Sequence, residues 1–443
     1  LRNINYIDYK LNNSAELVTP KLFVVIRRFN MDSGHTSWML MATALVFFMT
    51  PGLAFFYGGL VRAKNIINTI MMSFMSIAIV SIVWVLWGYS LAFGTGNAFI
   101  GDFSHIGLSG ISFASAEGDD IPPLLFVAFQ MMFAVITPAL ITGAFAERFK
   151  FSTYLIFLVI WSTLVYAPIT HWVWASTVLA DGTEINGWLW DLGALDFAGG
   201  TVIHINAGMA AVAAALLVGK RRNPGIQPNN VPYVVLGAAI LWLGWFGFNA
   251  GSAVAANDSA ANAFLVTSLA ASTAALTWGV ISHLKTGKMG AVGVATGAVA
   301  GLVAITPAAG AVNAMGSLAI GFGAGLICFF AVELLHKTNM DDALDVFAVH
   351  GIGGIWGAIA TGIFALEAIS GTQGLIEGNV KQVGIQAVAV IATVAYSGIV
   401  SLIILFILDK IPGLGLRSSE SDEDIGLDLA EHGEQSTVQD GAN

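Results

Sequence analysis

Polar positions along this chain are sparse and clustered, and eleven apolar stretches lie between the clusters. Their cores fall at 38–61, 66–93, 124–146, 152–174, 197–218, 231–251, 260–282, 290–309, 316–335, 346–366 and 383–408. Each supplies the roughly 20 apolar residues an α-helix needs to cross the hydrocarbon of a bilayer. None shows the two-residue alternation of a membrane barrel strand. The pattern therefore predicts an all-α integral membrane protein with eleven transmembrane helices. An odd count of eleven accommodates two five-helix halves plus one extra helix. Five is odd, so the halves would be inverted repeats, with a site at their interface.

The polar clusters set orientation. Basic residues follow the odd-numbered stretches: Arg62 and Lys64, Arg148 and Lys150, Lys220 with Arg221 and Arg222, Lys285 and Lys288, Lys337, then Lys410 and Arg417. The other connections carry only Lys381, with acids such as Asp119, Asp120, Asp181, Glu184 and Asp191. The positive-inside rule then places the start of the first span outside and the C-terminus in the cytoplasm of a multi-pass cell-membrane protein. Residues 1–30 are polar and read as an N-terminal extension, with Met31 just before the first span. Residues 31–410 form the membrane domain and 411–443 a cytoplasmic tail. The five basic residues of the extension would lie outside, against the rule, which sets it apart from the rest. It also lacks the pattern of a signal peptide.

Composition narrows the class. Hydrophobic residues make up 56% of the 443 and charged residues 10%, against about a quarter in soluble domains. Fifty glycines suit close helix approach; pairs such as Gly297 with Gly301 and Gly321 with Gly325 read as packing contacts, not phosphate loops. No basic stripe supports nucleic-acid binding. The single cysteine, Cys328, excludes disulfides and cysteine-rich metal sites.

Candidate chemistry sits in the fifth and tenth stretches. Asp196-Phe197-Ala198-Gly199-Gly200-Thr201-Val202-Ile203-His204 carries an acid and a histidine into an apolar run, and His350 lies in a similar setting after Asp345. Ionisable groups in lipid are costly and usually mark a pathway. Gly200 and Gly208, four residues either side of His204, leave its helical stripe open to a neighbour. One buried histidine is more often bonded to a backbone carbonyl; two at matching places in the two halves favour a functional pair. Asp196 could bind a cation or cap the fifth helix, and a helix start favours the cap.

Several segments resemble the Amt/Mep/Rh ammonium transporter family, most closely its microbial Amt branch. They are Thr50–Gly59, Gly143–Arg148, Ala194–Thr201, Gly244–Ser252, Asp345–Gly351 and, in the tail, Gly426-Leu427-Asp428 with His432-Gly433-Glu434. The resemblance covers about residues 31–435. It implies a homotrimer with a central pore in each subunit, and ammonium or ammonia as substrate, with methylammonium as analogue. It implies that His204 and His350 are the paired pore histidines. Phe133 and Phe248 would be stacked rings closing the pore from outside, although an isolated phenylalanine reads as core. Trp174 and Ser252 would form an external cation site, with Asp196 buried beneath it. An aromatic face attracts a cation by roughly 0.5–2 kcal/mol. A long acidic connection, Ser176–Gly187, separates Trp174 from Trp188, which is the alternative tryptophan; a belt tryptophan is the plain reading of either. A PII-type signal protein is the partner implied at the cytoplasmic face. The acidic tail, with Glu420, Asp422, Glu423, Asp424, Asp428, Glu431 and Glu434, would lie against the basic loops, although its composition alone suits disorder.

The expected function is ammonium transport without a cofactor or enzymatic step. The alternative is an ammonium sensor signalling through cytoplasmic partners. A membrane metalloenzyme using the histidines and Asp196 would need a third well-placed ligand, and the tenth span offers none near His350, since Asp342 and Asp345 lie at its cytoplasmic start.

Overall fold

The computed structural model describes residues 32–113, 120–179, 181–225 and 228–436; the extension assigned to residues 1–30 lies outside them. Eleven apolar helices run α1 Ser33–Leu60, α2 Ala63–Phe93, α3 Pro123–Ile141, α4 Phe151–Trp174, α5 Gly200–Val218, α6 Val231–Ala250, α7 Asp258–Thr286, α8 Ala291–Ile305, α9 Ala314–Leu335, α10 Phe347–Phe364 and α11 Val380–Lys410. Ten are long and apolar enough to cross a bilayer. The 15 residues of α8 reach only about 22 Å. Pro307 lacks the amide that would continue this helix, so the chain turns through Thr306–Ala311 instead.

Helix starts follow local chemistry. Asp32, Asn230, Asn257 and Asn313 each accept a backbone N–H three residues on, at 2.8, 3.0, 3.0 and 3.0 Å, satisfying amides that have no partner inside their own helix. Five spans contain a π-turn, among them Gly200–Ile205 opening α5 and Phe347–Gly351 opening α10. Such turns shift the face a side chain takes and often mark functional positions.

The two halves pack in corresponding pairs. α1 contacts α2 and α3 as α6 contacts α7 and α8, and α3 meets α5 as α8 meets α10. One hydrogen bond repeats in both halves. Phe197 N, seven residues before His204, donates to Pro307 O after α8 (3.2 Å); Ala343 N, seven residues before His350, donates to Ala144 O after α3 (3.1 Å). α5 and α10 meet at the centre, and α11 packs against α4, α5 and α10. Contact at the centre is backbone on backbone: a Cβ on Gly208 would lie 2.4 Å from Gly351 Cα.

Two segments take structure that their composition alone does not predict. The acidic connection after α4 forms an antiparallel hairpin, β1 Ser176–Val178 with β2 Glu184–Asn186, followed by a short helix Trp188–Leu192. The tail, whose composition alone suits disorder, forms short helices Glu420–Ile425 and Leu427–His432 with fully buried Leu427. Its fold depends on groups distant in sequence. Lys64 Nζ donates to Glu423 O and Asp424 O at 2.6 and 2.7 Å, Asn65 Oδ1 accepts Leu427 N at 2.9 Å, and Asp428 Oδ1 accepts Asn68 N at 2.8 Å. The tail carboxylate thus caps α2. Arg222 pairs with Glu420 and Asp424, both at 3.2 Å. Arg221 turns instead to Asp341 at 2.6 Å, and the Arg148 side chain bonds the carbonyls of Gly219 and Asp341.

Candidate functional site: a histidine-lined pore between two vestibules

A wide vestibule opens at the α4–α5 end of the bundle. It encloses about 460 Å³, with Phe126, Gln130, Trp174, Trp190, Asp196 and Ser252 on its walls. Trp174 Nε1 donates to Asp196 O at 2.8 Å, which fixes the indole plane. Ser252 Oγ donates to Phe248 O at 2.8 Å, leaving its lone pairs free to accept. Trp188 takes no part in these walls; its ring lies 5.8 Å from Trp172 and 6.5 Å from Phe99. Sequence reasoning did not single out Trp190, whose ring reaches the vestibule only because the hairpin and the helix Trp188–Leu192 fold it back.

Asp196 sits beneath this vestibule and is spent on backbone. Its carboxylate accepts the N–H groups of Gly199 (2.8 Å), Gly200 (2.6 Å), Thr201 (2.8 Å) and Val202 (3.3 Å), and the Thr201 hydroxyl. Burial raises its pKa, while the Thr201 and glycine donors pull the other way. Every hydrogen-bond partner of the carboxylate is a donor, so these bonds at the positive end of α5 oppose the rise that burial causes. Glycine is needed at 199, where φ is 113°.

Below the vestibule, Phe133 and Phe248 overlap with centroids 4.3 Å apart and planes tilted by 32°. Both are 1% exposed, so no open path passes between them. Trp174 meets Phe133 edge-on at 5.9 Å. The space beneath narrows to about 10 Å³, bounded by Phe248, Trp245, Ile203, Leu140, His204 and His350. That is room for about one water-sized molecule. His204 Nδ1 and His350 Nδ1 stand 3.2 Å apart. Between these nitrogens only one proton can sit, so one ring donates and the other accepts. His204 stacks on Trp245, centroids 5.5 Å apart, and its Nε2 has no hydrogen-bond partner among the described residues. The His350 ring continues into a second, wider vestibule of about 690 Å³ on the tail side, which Tyr57, Lys220, Arg221, His336, Asp342 and Asp345 also line.

The structure thus gathers all seven sequence candidates along one line: Trp174, Ser252 and Asp196 at one mouth, Phe133 and Phe248 below them, His204 and His350 at the centre. It adds Asp342, eight residues before His350 as Asp196 is eight before His204. The repeated acid–histidine spacing is visible in the chain, and it is the signal that could have found Asp342.

A helical membrane bundle with a constricted pore joining two vestibules defines a channel or transporter of small solutes. The Ammonium Transporter Family profile matches residues 37–437, and the chain belongs to that family. An ammonium transporter of Aquifex aeolicus is 51% identical over 409 residues, covering 91% of this chain and 93% of its own. Ammonium transporter Amt1 of Archaeoglobus fulgidus is 45% identical over 408 residues, covering 91% and 99%. Among solved structures, Mep2 of Saccharomyces cerevisiae matches with a TM-score of 0.81 at 38% identity, over 89% of this chain and 92% of that one. A structure named Sensor Amt Protein matches with a TM-score of 0.82 at 30% identity, over 90% and 98%. The protein is a multi-pass ammonium transporter, not an enzyme.

Proposed function

We propose that this protein takes ammonium at the Trp174 vestibule and conducts ammonia along His204 and His350. The vestibule supplies an aromatic face and a hydroxyl acceptor for the cation, and the Asp196 charge adds attraction from below. Phe133 and Phe248 must part for entry. Beyond them, the pore is lined by apolar side chains such as Leu140, Ile203 and Trp245, with the two imidazoles as its free polar groups. A charged group at mid-bilayer costs about 2.5–3.5 kcal/mol or more, and an apolar site disfavours the charged form. Ammonium therefore leaves its proton behind, and ammonia crosses with the imidazoles as partners. The observation that carries this reading is the pore of about 10 Å³ at the histidine pair, set between vestibules of about 460 and 690 Å³.

In this reading residues 31–410 are the transport domain, three copies assemble as a trimer, and the Trp174 mouth faces outside. The tail side is cytoplasmic, where a PII-type protein would dock on residues 411–443 and the basic loops. The sensor reading draws on the Sensor Amt Protein likeness; the relatives of higher identity are named transporters, which favours transport. The test is methylammonium uptake into liposomes holding the purified protein, with current recorded. Uptake above protein-free vesicles is expected, and binding without uptake would favour the sensor.

A further inference from the structure

The acids that precede the two histidines hold equivalent places but are bonded differently. Asp196 has both oxygens occupied by five donors. Asp342 uses Oδ2 to accept Phe347 N at 2.7 Å, capping α10, while Oδ1 has no hydrogen-bond partner among the described residues. The residue is 4% exposed and lies in the wall of the tail-side vestibule with His350. A buried carboxylate oxygen without a donor is expensive as an anion and is relieved by taking up a proton or a cation.

We propose that Asp342 is the proton-exchange group of the tail-side mouth, which returns to ammonia the proton it lacks. The proposal rests on the ammonia-conducting reading above. Ammonia leaving His350 takes the proton of the Asp342 carboxyl: the O–H bond breaks, an N–H bond forms, and ammonium and a carboxylate result. Ammonium passes into the vestibule, and a proton from the vestibule water restores the acid. In the reverse direction the carboxylate takes a proton from ammonium, so ammonia enters the pore. Asp196 cannot do the same work, because both of its carboxylate oxygens are already taken by donors.

The surroundings suit exchange near neutral pH. Burial, then the charge of Asp345, raises Asp342 to about 7, with the amides of Phe347 and Val346 and the Arg148 charge opposing. Tyr57 of α1, Lys220 and Arg221 after α5, His336 after α9, Asp341 and Asp345 of its own segment and His350 of α10 also line this cavity. The carboxyl is protonated below about 7 and ionised above it. His336 Nε2 lies 2.8 Å from Asp345 Oδ1.

Infrared difference spectroscopy on the whole reconstituted protein tests this. The carbonyl band of a protonated carboxylic acid should fade as pH rises through about 7, should be missing from Asp342→Asn, and should fade at lower pH when methylammonium is added. Asn keeps an oxygen for Phe347 N, so α10 stays capped. Asp345→Asn removes a neighbouring charge and should move the midpoint down, which tests the assignment even where Asp342→Asn fails to fold. In transport, Asp342→Asn should lose the dependence on tail-side pH that the parent shows, and Asp342→Glu should restore it. An unchanged band in Asp342→Asn, or a midpoint indifferent to both Asp345→Asn and methylammonium, overturns the proposal. If the parent itself carried no methylammonium, the transport reading would fall while the infrared titration still decided the role of Asp342.

Discussion

Replacing Gly208 with Ala changes no group that touches ammonia, yet it should nearly abolish transport. A Cβ at Gly208 would sit 2.4 Å from Gly351 Cα and 2.5 Å from Gly351 N, whereas ordinary contacts begin near 3.4 Å. Both obstacles are backbone, so no side chain can swing aside, and α5 and α10 must separate by about 1 Å. Gly351 follows His350 directly. A 1 Å separation takes the Nδ1–Nδ1 distance from 3.2 Å towards 4 Å, beyond hydrogen-bond range. Overpacking of this kind costs about 1–3 kcal/mol, a loss that leaves most membrane bundles folded. The assay pairs thermal unfolding in detergent with methylammonium uptake in vesicles, using Gly384→Ala as control because a Cβ there meets nothing within 4 Å. Gly208→Ala should unfold at lower temperature and lose about tenfold or more in uptake, while Gly384→Ala matches the parent. Parent-like uptake by Gly208→Ala would refute the claim that close α5–α10 contact holds the histidine pair.

Trp174→Leu should raise the half-saturation concentration for methylammonium by about twofold to thirtyfold, from the loss of roughly 0.5–2 kcal/mol of aromatic attraction, and more than Trp188→Leu does; the opposite ranking would move the cation site beyond the hairpin. Removing residues 417–443 should lower transport, or uncouple it from an added PII protein, with the helices still inserted. The narrower Asp428→Ala should do part of the same by uncapping α2, and full transport with an unchanged PII response would reduce the tail to a passive end. The hydrogen bond to Asp345 raises the His336 pKa above the ordinary 6.5, with burial opposing. The pair therefore contributes most below 6.5 and fades as pH rises through the raised value, and an NMR titration of His336 in the parent and in Asp345→Asn should show that difference.

The apolar runs placed all eleven helices because crossing lipid demands unbroken hydrophobic length, a requirement written locally. Features set by distant partners were less legible. Pro307 stops α8 short of the expected 290–309 stretch, and the turn that follows packs on Gly200, where a Cβ would meet the Pro307 ring at 2.6 Å. The π-turns at Gly200–Ile205 and Phe347–Gly351 re-aim both histidines, so the simple four-residue stripe through Gly200, His204 and Gly208 was only an approximation. Gly208 meets α10, whereas Gly200 meets the turn after α8. The tail composition suited disorder because its folding partners, Lys64, Asn65 and Asn68, lie some 360 positions away. Asp342 precedes the apolar run that carries His350, so the run alone does not mark it, although its spacing to His350 repeats that of Asp196 to His204.

The central claim is that ammonia, not the bare cation, crosses the His204–His350 constriction. It is tested most directly by recording ammonium-driven and potassium-driven currents together with methylammonium uptake, for the parent and for His350→Ala, in vesicles of one composition. The account predicts that the parent carries ammonium and methylammonium and rejects potassium. It predicts that His350→Ala, with half of the polar ladder gone and a wider, wetter bore, loses most of its methylammonium flux or begins to pass potassium. A folded His350→Ala protein with the parent's flux and the parent's rejection of potassium would contradict it.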